Sequence, residues 1–211
     1  MRKAIPYIIG AMLVAALILL FSSKEKKERT LDKRLSMSRT DKIPYGTWVA
    51  YEHLKDEFPE ARISVNRKEP GLWDSITSYE SKQLLFIVSP QFQATEFDMN
   101  RLITFAENGN DVFISARHIS GSAEKLLDCN TNIYTEYSDN YEKRDTLNIR
   151  LVHGMLNDRR TFTYPGARFD AFFYSSNGTY TEVMGTEGDG RTNFIRMQAG
   201  KGHIYLHLAP L

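Results

Sequence analysis

Residues of a kind and spacing that could do chemistry cluster in Ser115-Ala116-Arg117-His118-Ile119-Ser120-Gly121. A serine hydroxyl attacks when a neighbouring histidine takes its proton. Ser115 or Ser120 with His118 and Arg117 would therefore make a hydrolase or transferase site. The run lacks the GxSxG elbow whose sharp turn exposes such a serine, and Ser and His are also ordinary loop residues. The chain has one cysteine, Cys129, so neither an internal disulfide nor a CxxC zinc site can form; a small buried hydrophobe is its ordinary role.

Metal and nucleotide chemistry find less support. His203 and His207 stand four apart in a strand-like segment, which puts them on one face but roughly 13 Å from each other, too far to share an ion. His53, His118 and His153 have no partner at ligand spacing. Glu187, Asp189 and their neighbouring glycines lack the acidic alternation of a calcium loop. Neither GxGxxG nor a GxxxxGK stretch ending in Ser or Thr occurs. No catalytic residue, metal ligand or cofactor is assigned on this reading.

The elements that must position these residues are set by residues 84–117, LLFIVSPQFQATEFDMNRLITFAENGNDVFISAR. Residues 84–88 and 111–116 are nearly unbroken apolar runs of strand length, the pattern of strands covered on both faces. Between them Thr95 and Asp98 make a capping box, Met99, Leu102, Ile103 and Ala106 share a helix face, and Asn108-Gly109 ends the helix. Such a crossover joins parallel strands and is right-handed. Ligands of open parallel sheets gather beyond the carboxyl ends of the strands, which puts candidate binding residues at Ser89, Pro90, Arg117 and His118. The plain alternative for Arg117 and His118 is that they solvate the sheet edge or meet a protein partner.

Upstream, Thr47 caps a predicted helix that carries Trp48, Tyr51 and Phe58 at helical spacing and is closed by Pro59. Helix N-termini attract anions, so Tyr45, Gly46 and Thr47 join the candidate set, against the simpler reading of a turn that only caps the helix. A short strand is expected at residues 63–65 and a short helix at 122–127. After Asn130, segments rich in Tyr, Phe, Thr and Ile are separated by Asn177-Gly178, Gly188-Asp189-Gly190 and Gly200-Lys201-Gly202. The second half is expected to be mostly strands, extending the sheet or adding a small antiparallel layer.

Residues 4–21 (AIPYIIGAMLVAALILLF) are an uncharged run of 18 residues, about 27 Å as a helix, close to a bilayer core. They predict an N-terminal transmembrane helix within residues 1–23; a cleaved signal peptide is the alternative, opposed by the length of the run and the lack of a small-x-small site before Lys24. Residues 24–40 carry seven basic and three acidic side chains and predict a solvated stalk, with juxtamembrane lipid contact as the other option. The basic residues after the span favour a cytoplasmic domain, but the side of the membrane stays undetermined. Residues 1–40 hold nine basic and three acidic residues against a total net charge of +1, so residues 41–211 carry −5. That sign argues against a nucleic-acid surface.

The residues DKIPYGTWVAYEHLKDEFP, LLFIVSP, NGNDVFISA and NFIRMQAGKGHIYLHLAPL, taken in that order, resemble a family of bacterial membrane-anchored proteins catalogued as domain of unknown function 4350. The resemblance covers residues 35–211. It implies a Rossmann-like α/β fold similar to class I glutamine-amidotransferase-like domains, and it implies no activity. In amidotransferase-like folds the nucleophilic cysteine follows a core strand on a tight turn; the comparable place here is the Ser115 to Gly121 run, and Cys129 comes about a dozen residues later. Members continue past the Gly-Lys-Gly strand into further helices and a second span, so a chain that stops at Leu211 is expected to be a piece of a longer one. The expectation is thus a Rossmann-like α/β domain at residues 41–211, with a parallel-core sheet, helices on both faces and a β-rich second half, on a single-pass membrane anchor. Its expected function is noncatalytic binding of a membrane-associated protein partner or a small ligand, with the anchor in membrane lipid and no nucleic acid. The alternative is a hydrolase or transferase using a Ser/His site after the central strand.

Overall fold

The computed structural model describes residues 12, 32, 34–73, 76–133, 146–152, 161–165, 171–176 and 181–209. The chain divides into two units, Met1–Arg34 and Leu35–Leu211. In the first, the described residues Asp32 and Arg34 form a forked ion pair, with Arg34 Nε and Nη2 donating to the carboxylate at 2.7–3.0 Å.

The second unit is built on helices α1 (Trp48–Glu57), α2 (Glu96–Glu107) and α3 (Gly121–Leu126) and strands β1 (Leu84–Phe92), β2 (Asp111–Ile119), β3 (Cys129–Ile133), β4 (Thr146–Leu151), β5 (Thr161–Pro165), β6 (Ala171–Ser176), β7 (Thr181–Glu187), β8 (Thr192–Ala199) and β9 (Gly202–His207). Seven strands form one sheet in the order β1-β2-β9-β8-β7-β4-β5, and β3 pairs with β6 in a second.

The β1-α2-β2 unit forms as its sequence dictates. Thr95 Oγ1 accepts from the Asp98 N–H, and the Asp98 carboxylate accepts from the Thr95 N–H, closing both ends of the capping box. Met99, Leu102, Phe105 and Ala106 are buried, packed in one cluster with Val112, Ile114, Ala116, Ile195, Met197, Ile204 and Leu206 from the sheet. Ala123 and Leu127 at α3, and Cys129, Ala171 and Phe173 from the small sheet, join that same cluster.

The domain is mostly β and its large sheet is mixed, which overturns the Rossmann-like α/β expectation. Parallel pairing is confined to β1-β2 and β2-β9; β8-β9, β7-β8, β4-β7 and β4-β5 are antiparallel. The physical reason lies in the connections. A helical crossover leaves a helix on the sheet, whereas a hairpin leaves none, and β7-β8 and β8-β9 are joined by tight turns at Gly188–Gly190 and Gly200–Lys201. Among the described residues, helices therefore do not cover both faces. Helices α2 and α3 belong to the cluster on one face, and α1 contributes no fully buried side chain. On the second face the burial of β8 and β9 alternates residue by residue, as in a half-solvated antiparallel sheet. Even β1, whose apolar run predicted burial on both sides, leaves Leu84 and Phe86 exposed by 44% and 40%.

Three smaller expectations are corrected. No strand forms at residues 63–65, and Thr47 makes no side-chain cap to α1. Among the described residues no helix is long and apolar enough to cross a membrane, so the single-pass membrane localisation is set aside. The expected span at residues 4–21 lies outside the described residues apart from Met12, as does the turn at Asn177-Gly178.

Candidate functional site

The carboxyl ends of the parallel strands lie further along the chain than expected. β1 runs through Ser89 and Pro90 to Phe92, and β2 runs through Arg117 and His118 to Ile119. Pro90 is tolerated because β1 is the edge strand, where a residue without an N–H can face outward; the pairs Ser89↔Ala116 and Gln91↔His118 flank it. The β1-β2 ribbon outruns β9, whose pairing with β2 stops at Ser115↔His207. Residues 116–119 of β2 are thus free of a β9 neighbour, and Arg117 sits on this flank.

That register brings together two residues 92 positions apart. Ser115 Oγ lies 3.0 Å from His207 Nδ1. Ser115 is only 4% exposed, and the imidazole is walled by Phe113 and Phe194, with ring centroids at 6.4 and 5.3 Å. Burial among these rings pushes His207 down to about 4, so it is neutral at ordinary pH. The aromatic wall continues outward: Phe86 stacks on Phe113 at 4.6 Å and Phe194 meets Phe113 edge-on at 6.0 Å. At the far end of the same face Asp111 accepts from the His203 backbone N–H and pairs with its ring at 3.1 Å.

The other expected residues divide clearly. Ser120 is consumed by structure: its hydroxyl donates to the Ala94 carbonyl at 2.6 Å and accepts from Ala123 N–H at the start of α3. His118 is exposed and touches Gln93 Nε2 at 3.3 Å, away from both serines' bonds. Ser89 closes a local turn by donating to the Gln91 carbonyl at 2.8 Å. Tyr45, Gly46 and Thr47 form the base of a loop: Tyr45 O accepts from Met37 N–H, Thr47 N–H donates to Ser38 O, and Thr47 Oγ1 donates to Met37 O. Gly46 is required there because a Cβ would run into the Asp41 carbonyl. Tyr45 packs in a second apolar cluster with Met37, Val88, Leu147, Ile149 and Ala209, so this loop does reach the carboxyl end of β1, as a structural wall.

Arg117 is different. Its Nε is out of solvent with no hydrogen-bond partner, and among the described residues no carboxylate pairs with the guanidinium. Cys129 is no substitute nucleophile: burial raises its thiol to about 12, with Glu124 and Asp128 adding to the effect. No three His, Cys, Asp or Glu side chains converge among the described residues.

Fold and site together define a mostly β domain on a mixed seven-stranded sheet, with the Ser115–His207 pair beside a partly exposed aromatic face. No family model matches the chain, and no curated protein matches it. Among solved structures it is similar to the exo-β-1,4-mannosidase Op5Man5 from Opitutaceae bacterium strain TAV5, with a TM-score of 0.49, 14% identity, and 85% of this chain set on 29% of that one. It is also similar to the β-galactosidase from Bacillus circulans sp. alkalophilus, with a TM-score of 0.41, 12% identity, and 64% of this chain on 22% of that one. A third likeness, to the β-galactosidase from Rahnella sp. R3, has a TM-score of 0.40, 12% identity, and 64% of this chain on 21% of that one. The chain spans less than a third of the length of each of these enzymes. Likenesses this remote carry no conclusion about activity.

Proposed function

We propose that this is a noncatalytic domain that binds a small ligand or a segment of a protein partner on the sheet face carrying Phe86, Phe113, Phe194 and His207. The observation that carries the reading is the open aromatic face itself. Large rings side by side on a sheet face, with no helix among the described residues packed over them, are a surface for flat or apolar groups, and such contacts are worth about 0.5–1.5 kcal/mol per ring pair beyond area burial. The resemblance to the membrane-anchored family brings no activity with it, in keeping with a noncatalytic role.

One observation favours a second reading, a hydrolase or transferase with Ser115 as nucleophile: the Ser115–His207 hydrogen bond. Two features weigh against it. A base held near 4 is a poor proton acceptor at neutral pH, and no carboxylate among the described residues orients the ring as a triad would. The test is to incubate the full chain with activated esters and with a library of aromatic small molecules. Noncatalytic binding predicts saturable association that weakens in Phe113→Ala with no turnover. Turnover that disappears in Ser115→Ala would establish the enzyme instead.

A further inference from the structure

We propose that Arg117 and the Ser115–His207 pair form the anchor for a carboxylate carried by the ligand. This deepens the binding reading above and rests on it.

The first observation is Arg117 itself. A guanidinium offers five N–H donors in a planar fork. Here Nε is withdrawn from solvent without an acceptor, and among the described residues no side chain or carbonyl receives the remaining donors. Burying such a donor unpaired costs about 1–3 kcal/mol. A ligand acceptor removes that cost.

The second observation is the hydrogen-bond count at Ser115 and His207. The imidazole is neutral, so it has one N–H. If the serine hydroxyl donates to Nδ1, the proton sits on Nε2, which then offers a donor. If Nδ1–H donates to the serine oxygen, the hydroxyl proton is left to donate. Either tautomer leaves one donor unspent, because among the described residues the pair's side chains bond only to each other. Arg117 lies two residues past Ser115 on the same strand, about 7 Å along, beyond the last β2-β9 pair. A carboxylate bridging this interval would take a forked pair from Arg117 and a single bond from the serine or imidazole.

The third observation is charge. One cation matches a monoanion. A phosphate dianion would leave a net negative charge beside Arg117 in a region that already carries −5 over residues 41–211. The flanking rings Phe113 and Phe194 would lie against the body attached to the carboxylate, so a flat aromatic acid is the simplest probe.

The experiment follows the Arg117 Nε–Hε resonance of the full chain while benzoate, and separately inorganic phosphate, is added. Benzoate is expected to shift that resonance saturably. Arg117→Lys, which keeps the charge and loses the fork, is expected to weaken benzoate binding about tenfold with an unchanged melting curve. Ser115→Ala is expected to weaken it by a smaller factor. A saturable benzoate response elsewhere on the aromatic face, with Arg117 unmoved, overturns the anchor and leaves the binding reading standing. Phosphate binding as tightly as benzoate overturns the carboxylate assignment. No saturable response to benzoate at all overturns the anchor. Ester turnover lost in Ser115→Ala overturns the noncatalytic reading separately.

Discussion

Replacing Asn110 by alanine is expected to cost roughly 2–4 kcal/mol. Asn110 is 1% exposed and all its hydrogen-bonding capacity is used. Its Oδ1 accepts from the Gln83 backbone N–H at 2.9 Å and from Gln83 Nε2 at 3.3 Å. Its Nδ2 donates to the Glu80 carbonyl at 2.7 Å and to the Phe105 carbonyl at 2.9 Å. One side chain thus ties the last turn of α2 to the start of β1 at the point where β2 begins. Alanine strands the Phe105 carbonyl, which belongs to a fully buried residue, for about 1–3 kcal/mol, and the partly buried Gln83 N–H for about 1 more. The Glu80 carbonyl, on an exposed residue, rehydrates at little cost. Asn110→Asp should be worse than alanine at neutral pH, because it sets a carboxylate oxygen against two carbonyls, and it should recover on acidification as the carboxyl becomes a donor. The assay is urea unfolding followed by tryptophan fluorescence. Trp73 is a local reporter, edge-on to Phe105 at 5.3 Å. A loss for Asn110→Ala below about 1 kcal/mol at unchanged m, or an aspartate variant as stable as the wild type at neutral pH, would refute the reasoning.

Stability should also fall on acidification through His207. The unfolded ring takes its proton near 6.5 and the folded one only near 4. The unfolded state therefore binds more protons between these values, and stability rises with pH across that window. The full linkage is at most about 3 kcal/mol, less for the solvent that reaches the rim of the ring. His207→Gln should flatten the profile from about 6.5 down to 4 in pH-dependent unfolding; a profile unchanged by that substitution would assign the acid sensitivity to other groups. Gly202→Ala should destabilise by about 3 kcal/mol, since a Cβ there would overlap the Asn110 carbonyl where β9 starts against α2. A melting temperature within a degree or so of the wild type would show that the backbone yields there at little cost.

Local chemistry settled the β1-α2-β2 unit from the sequence alone. Thr95 and Asp98 cap a helix whatever surrounds them, Asn108-Gly109 stops it, and the crossover length leaves only parallel pairing. The β-rich second half and the turns at Gly188–Gly190 and Gly200–Lys201 were equally legible, because hairpin turns depend on a few adjacent residues. What covers each face was not. An apolar run such as LLFIV reads the same whether a helix lies on both sides or only one, yet alternation in NFIRM and HIYLHL already carried the sign of a half-open face. The candidate residues followed the same division. The place of Arg117 near the end of β2 was legible because strand length is local information. That arginine's lack of a carboxylate, the neutral state of His207, and the Ser115–His207 bond were decided only by tertiary structure. They depend on which strand lies beside β2 and in what register, and 92 residues of intervening chain leave no local trace of that pairing.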